Sequence, residues 1–177
     1  WLTEDEAEKL IEACPENLKL IITVALKTGL RRGELFNLTW TGVDFEQGIL
    51  TVRQTKNGDT RYIPMNQKVL RALSAHSRFG RRIVGGKVCP WVFSSASGEK
   101  LKSFRNGLDA ALQRAGIRKH IRPHDLRHSF ASHLVMKGVD LRTVAQLLGH
   151  RDLRVTMRYT HLAPDHLRAA IGTLGVG

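Results

Sequence analysis

Residues 43–65 read VDFEQGILTVRQTKNGDTRYIPM, and this stretch separates an α+β reading from an all-helical one. Its hydrophobic period is two, in a chain whose other segments keep a helical period. GILTVRQ (48–54) and DTRYIP (59–64) are rich in β-branched and aromatic residues, and Lys56-Asn57-Gly58 joins them. Asn-Gly supplies the positive-φ pair that a tight hairpin turn needs, so the two runs are predicted to pair antiparallel. VDF (43–45), ahead of Glu46-Gln47-Gly48, is the candidate third strand.

Helical periodicity spreads outward on both sides. Thr3-Glu4-Asp5-Glu6 has capping-box spacing before Ala7, Leu10 and Ile11. KLIITVALKTG (19–29) is apolar on its inner side and stops at Gly29, and a short helix is expected in RRGELFNLTW (31–40). Beyond the hairpin, NQKVLRALSAH (66–76) is helical, FGRRIVGGKVCP (79–90) reads as a glycine-rich basic loop, and WVFS (91–94) is a short apolar run. Helices are predicted at SFRNGLDAALQRAG (103–116), HDLRHSFASHLVMKG (124–138) and DLRTVAQLLGH (140–150), the last capped by Asp140. Shorter ones are expected in DLRVTMRYTHL (152–162) and PDHLRAAIGTL (164–174). The fold class is therefore α+β, mainly helical, with a small three-stranded antiparallel sheet in the N-terminal part.

Composition narrows the function. The chain has 177 residues, 42% of them hydrophobic, which suits one domain with a real core and excludes a disordered basic tail. No run approaches the ~20 apolar residues of a membrane span. The first 30 residues hold six acids and three bases, whereas residues 31–177 hold 25 bases and ten acids, a surplus of +15. Such a surplus points to a phosphate backbone as partner. Two cysteines, Cys14 and Cys89, make no disulfide framework, so a reducing cytoplasm is expected. Trp1 leads straight into a helix start, which reads as a fragment of a longer protein.

Singly, the polar residues have ordinary explanations. Arg31 can pair with Glu34 three residues on, His150 can cap a helix end, and Tyr159 can be an aromatic at the core edge. His124, His128 and His133 raise metal ligation, but Asp125 stands where a zinc protease needs glutamate, and no third ligand has a recognisable spacing. No metal or cofactor is expected.

The order of motifs carries more than the parts. TGLRRGEL, a lysine in a hairpin turn, HDLRHSFASH, LLGH and a tyrosine nine residues later, followed by Thr-His, resemble the catalytic domain of the tyrosine recombinase (phage integrase) family over nearly the whole chain. The resemblance implies a single catalytic domain over 1–177, without the N-terminal DNA-clamping domain the family usually carries. It implies a site of Arg31, Lys56, His124, Arg127, His150 and the nucleophile Tyr159, with Glu34 and Asp125 orienting Arg31 and its neighbours. Arg32 is adjacent, but the TGxR phrase selects Arg31. Ser129 stands where the family often has Thr, a neutral change.

The reaction so implied is site-specific recombination of double-stranded DNA through a covalent 3′-phosphotyrosyl link, without ATP or metal. Lys56 would protonate the leaving 5′ oxygen, and His124 would take the tyrosine's proton or donate to the phosphate. A homo-tetramer on DNA, joined through the C-terminal helix, is expected as well. Two alternatives share the fold: a type IB topoisomerase-like relaxing enzyme and a non-catalytic DNA-binding module. Tyr62, beside Ile63 in the second hairpin strand, is read as sheet packing and not as the nucleophile.

Overall fold

A computed structural model describes residues 1–53, 60–79, 83, 84 and 86–163. The hairpin tip with Lys56 and the expected C-terminal helix at 164–174 lie outside the described residues. The chain opens with α1 (Glu4–Ala13), α2 (Glu16–Thr28) and the single turn α3 (Arg32–Phe36). A three-stranded sheet follows: β1 (Val43–Asp44), β2 (Ile49–Arg53) and β3 (Thr60–Pro64). Then come α4 (Gln67–Phe79), β4 (Ile83–Val84), β5 (Lys87–Val88), α5 (Arg105–Arg114), α6 (Pro123–Met136), α7 (Leu141–Leu148) and α8 (Arg154–Met157).

The capping box at Thr3 forms both ways: Glu6 N–H donates to Thr3 Oγ1 (3.2 Å) and Thr3 N–H to Glu6 Oε2 (2.8 Å). Helix α2 is buried almost all round, from Leu18 through Thr28, as a helix must be when it packs on α1, α4 and α6 at once. Around it lies the larger core, with Leu10, Ile22, Leu26, Leu50, Ile63, Leu73, Leu108 and Leu126 all excluded from solvent. A smaller cluster of Phe130, Ala131, Val135, Val144 and Leu148 joins α6 to α7 and takes in the ring of Tyr159.

The sheet is antiparallel in the order β1-β2-β3, with Leu50 opposite Ile63 and the described ladder ending at Arg53 opposite Thr60. Alternation sends Leu50, Val52 and Ile63 into the core. It also sends Tyr62 outward, opposite Thr51 and 66% exposed, so the expected packing role for that ring is corrected. Two other expectations change. Helix α3 stops at Phe36 because the chain turns away to pair with the WVFS run: Val92 N–H donates to Leu38 O, Trp40 N–H to Pro90 O, and Thr39 bridges Trp91. Within the expected loop at 79–90, β4 and β5 form a short ladder, Ile83 opposite Val88.

Candidate active site

Two helix ends build the floor of a cleft. Helix α2 terminates at Gly29 and α7 at Gly149, both left-handed at φ 63° and 65°. A side chain is excluded at Gly29 on two counts, since a Cβ there would also sit 2.4 Å from Phe130 Cδ1. At α7 the turn closes further, with His150 N–H donating to Ala145 O over 2.9 Å. The TGLR and LLGH phrases are thus two helix stops whose end carbonyls, Gly29 O and Leu148 O, lie within reach of one side chain.

Arg127 fills the space between them. Its Nη1 donates to Gly29 O (2.7 Å) and its Nη2 to Leu148 O (2.6 Å), with the side chain 4% exposed. A guanidinium suits the place because the negative ends of two helix dipoles converge there and the planar fork reaches both. Burial, then the nearby Arg31, pushes its pKa down to about 9, which keeps it charged at neutral pH. Arg31 stands at the N-terminus of α3, its Nη2 donating to Gly149 O (3.0 Å).

Glu34 holds Arg31 in place. Its Oε2 accepts the backbone N–H of Arg31 (2.8 Å) and its Oε1 accepts Arg31 Nη1 (2.9 Å). The same carboxylate takes a two-pronged bond from Arg61 on β3, at 2.6 and 2.8 Å. Burial works to raise the pKa of Glu34, but the hydrogen bond and charge of Arg61, and then Arg31, outweigh it and hold the group below the ordinary carboxylate range. One buried acid therefore serves two arginines and leaves the cleft strongly positive. Asp125 has the same helical position in α6, accepting the N–H of Arg122 (2.8 Å), but its carboxylate pairs with the exposed Arg122 side chain rather than with Arg31.

The cleft has a volume of about 480 Å³ and is lined by Arg31, His124, Arg127, His128, His150, Arg158 and Tyr159 among others. His150 Nδ1 lies 2.8 Å from the buried hydroxyl of Thr156. Burial, then Arg127 and Arg31, lowers its pKa to about 4, so the ring is neutral at physiological pH. With Thr156 as the donor, Nε2 carries the hydrogen and faces away from that contact as a neutral donor. Tyr159 is 6% exposed, and its Oη lies 2.5 Å from His128 Nδ1. Burial raises the phenol's pKa, with Arg158 and Arg127 pulling the other way.

Five of the six residues expected in the site meet in this cleft, and the sixth, Lys56, lies outside the described residues. Of the three histidines weighed as metal ligands, His124 packs edge-to-face on His128 at 4.7 Å between ring centres. His128 turns to Tyr159, and His133 Nε2 sits 2.8 Å from Leu2 O. Among the described residues no group of three His, Cys, Asp or Glu side chains is placed to hold a metal ion. The sequence reading missed Arg61 and His128 as partners in the site. Both left a signal: Arg61 shares the inward face of its strand with Ile63, and His128 shares a helical face with His124.

The family model for the phage integrase family matches residues 1–166. This chain belongs to that family. It is 39% identical, over 96% of its length, to the tyrosine recombinase XerA of Pyrococcus furiosus, and covers 60% of that relative. The crystal structure of a XerA recombinase superposes with a TM-score of 0.82 at 31% identity, covering 100% of this chain and 65% of the other. The catalytic domain of bacteriophage HP1 integrase superposes at 0.74 and 28% identity, covering 97% of this chain and 93% of that domain. The chain thus spans about three-fifths of the full-length relative and nearly all of a solved integrase catalytic domain. The tyrosine recombinase fold, mainly helical with its three-stranded sheet, agrees with the class expected from the period change at residues 43–65.

Proposed function

We propose that this chain is the single catalytic domain of a site-specific DNA recombinase that cleaves and rejoins strands through Tyr159. The observation that carries the reading is one cleft lined by four arginines, three histidines and Tyr159, with Asp152 as the one acid among its described lining residues. A phosphodiester suits such a cleft. Arg31 and Arg127 line the cleft with each Nη keeping a second N–H beyond the one given to a protein acceptor, and the charge they hold beside the non-bridging oxygens is in place before the transition state develops more. His150, as a neutral donor, adds a third contact. The arginines supply the electrostatic stabilisation that a metal ion gives other phosphoryl-transfer enzymes.

Attack by Tyr159 on phosphorus would leave a 3′-phosphotyrosyl link and a free 5′-hydroxyl. The link conserves the energy of the broken bond, so rejoining needs no ATP. Double-stranded DNA is the partner, and the surplus of basic residues beyond position 30 supports it. The full protein would act as a tetramer on two duplexes, through its C-terminal helix, in the cytoplasm of a bacterium or of a phage's host. Within the described residues no helix is long and apolar enough to cross a membrane.

The direct test is a nicked duplex that traps the cleaved state, incubated with the chain in a metal chelator and run on a denaturing gel. A protein–DNA adduct on the 3′ side is expected, and its absence, or a requirement for added metal, would overturn the reading.

Lys56 enters as the general acid. If its only task is to protonate the departing 5′ oxygen, Lys56→Ala should be slow on ordinary DNA, by roughly 10²–10⁴-fold. It should cleave a 5′-bridging sulfur substrate nearly as fast as the unaltered chain, because a thiolate leaves without a proton. Arg31→Ala should gain no such rescue. Equal defects of Lys56→Ala on both substrates would make Lys56 a phosphate ligand instead.

A further inference from the structure

Attack by Tyr159 needs a group that takes the proton from its hydroxyl. Of the two histidines beside each other on α6, the geometry points to His128: we propose that its Nδ1 is the general base that accepts the Tyr159 hydroxyl proton as the oxygen attacks phosphorus. The inference rests on Tyr159 being the nucleophile and goes beyond it by assigning the base. Tyr159 Oη meets His128 Nδ1 at 2.5 Å, a direct contact with no room for an intervening water. His124, one turn earlier, packs against the His128 ring and lines the same cleft. That arrangement frees His124 to face the phosphate with Arg31 and Arg127.

The surroundings suit the role. A base must be neutral before it works, and His128 is kept so: burial lowers its pKa first, then the neighbouring His124, while Asp125 opposes and Arg158 adds to the lowering. The groups facing it are His124 and Asp125 on α6 and Arg158 and Tyr159 beyond α8. The phenol needs the help, since burial raises its pKa above the ordinary value. In the step itself the Tyr159 O–H bond breaks and its electron pair forms the O–P bond. The proton goes to His128 Nδ1, and the P–O5′ bond breaks toward an oxygen that takes its proton from the general acid. Reversal on rejoining returns the proton from the imidazolium to the phenolate oxygen.

The test compares His128→Asn, whose amide oxygen falls near the place of Nδ1 but does not titrate, with the unaltered chain on the nicked duplex. Cleavage at pH 7 should fall by roughly 10²–10⁴-fold. The loss should shrink as pH rises, because the phenol then ionises without a base. Replacing Tyr159 with a fluorinated tyrosine of lower pKa should restore the variant by at least tenfold while changing the unaltered chain little. That comparison is made within one variant, so it stands even if His128→Asn lowers the melting temperature. Cleavage at or above the unaltered rate would show the contact to be a restraint on the tyrosine and overturn the assignment. So would a defect that neither higher pH nor fluorination narrows. An adduct on the unaltered chain that is lost in Tyr159→Phe sustains the covalent reading whatever His128 does, so the two can fail separately.

Discussion

Tyr159→Phe is expected to abolish the covalent protein–DNA adduct, a loss of at least ~10⁴-fold, as befits removal of a nucleophile that no neighbour can replace. The substitution is mild in every other respect. The ring stays in the small cluster with Phe130, Val144 and Leu148, and only the hydroxyl and its bond to His128 disappear. A single hydrogen bond of this kind contributes about 1 kcal/mol, so the variant should fold and melt within a few degrees of the parent. DNA binding, carried by the arginines and the wider basic surface, should persist. Tyr62→Phe serves as the control: that ring stands on the solvent face of β3, and its hydroxyl should matter to neither reading. A denaturing gel of the nicked-duplex reaction, beside a mobility-shift titration, decides the matter. An adduct in the Tyr159→Phe lane, or one lost only with Tyr62→Phe, would mean the wrong tyrosine has been assigned.

Local chemistry explains how much of this was legible in the sequence. The hairpin could be read because a period of two and an Asn-Gly turn are both local signals, and the helix ends at Gly29 and Gly149 because glycine there relieves a backbone that other residues strain in. The site residues could be read as a set because they sit next to those stops: Arg31 two places after Gly29, His150 directly after Gly149. What escaped was contact across distance. Glu34 joins Arg61, 27 positions away, and Tyr159 joins His128, 31 positions away, and no local period records such a pairing. Asp125 shows the opposite case. Its position three residues into a helix has the same local form as that of Glu34, yet the arginine it meets is an exposed one outside the cleft. Likewise, the short ladder of β4 and β5 was hidden because two-residue strands leave too few positions for alternation to register.

Arg127 carries the largest combined effect on fold and chemistry. Arg127→Ala removes both donors that meet Gly29 O and Leu148 O, leaving two helix-end carbonyls buried without a partner. Each such orphan costs about 1–3 kcal/mol, so the two together should lower the melting temperature by roughly 4–24 °C in calorimetry. Cleavage should fall by ~10²–10³-fold or more, through the loss of a donor fixed in advance on the phosphate. Arg127→Lys separates the two effects. An ammonium at this site retains part of the packing, but its ordinary pKa lies below that of a guanidinium, and the burial and the Arg31 charge that push Arg127 down would lower it further. The lysine variant should therefore recover more of the melting temperature than of the activity, and its deficit in cleavage should deepen as pH rises from 6 to 8. A lysine variant that cleaves like the parent across that range would show that neither the fork nor its permanent charge matters. TGLR and LLGH would then seat the buried guanidinium for the sake of the fold alone.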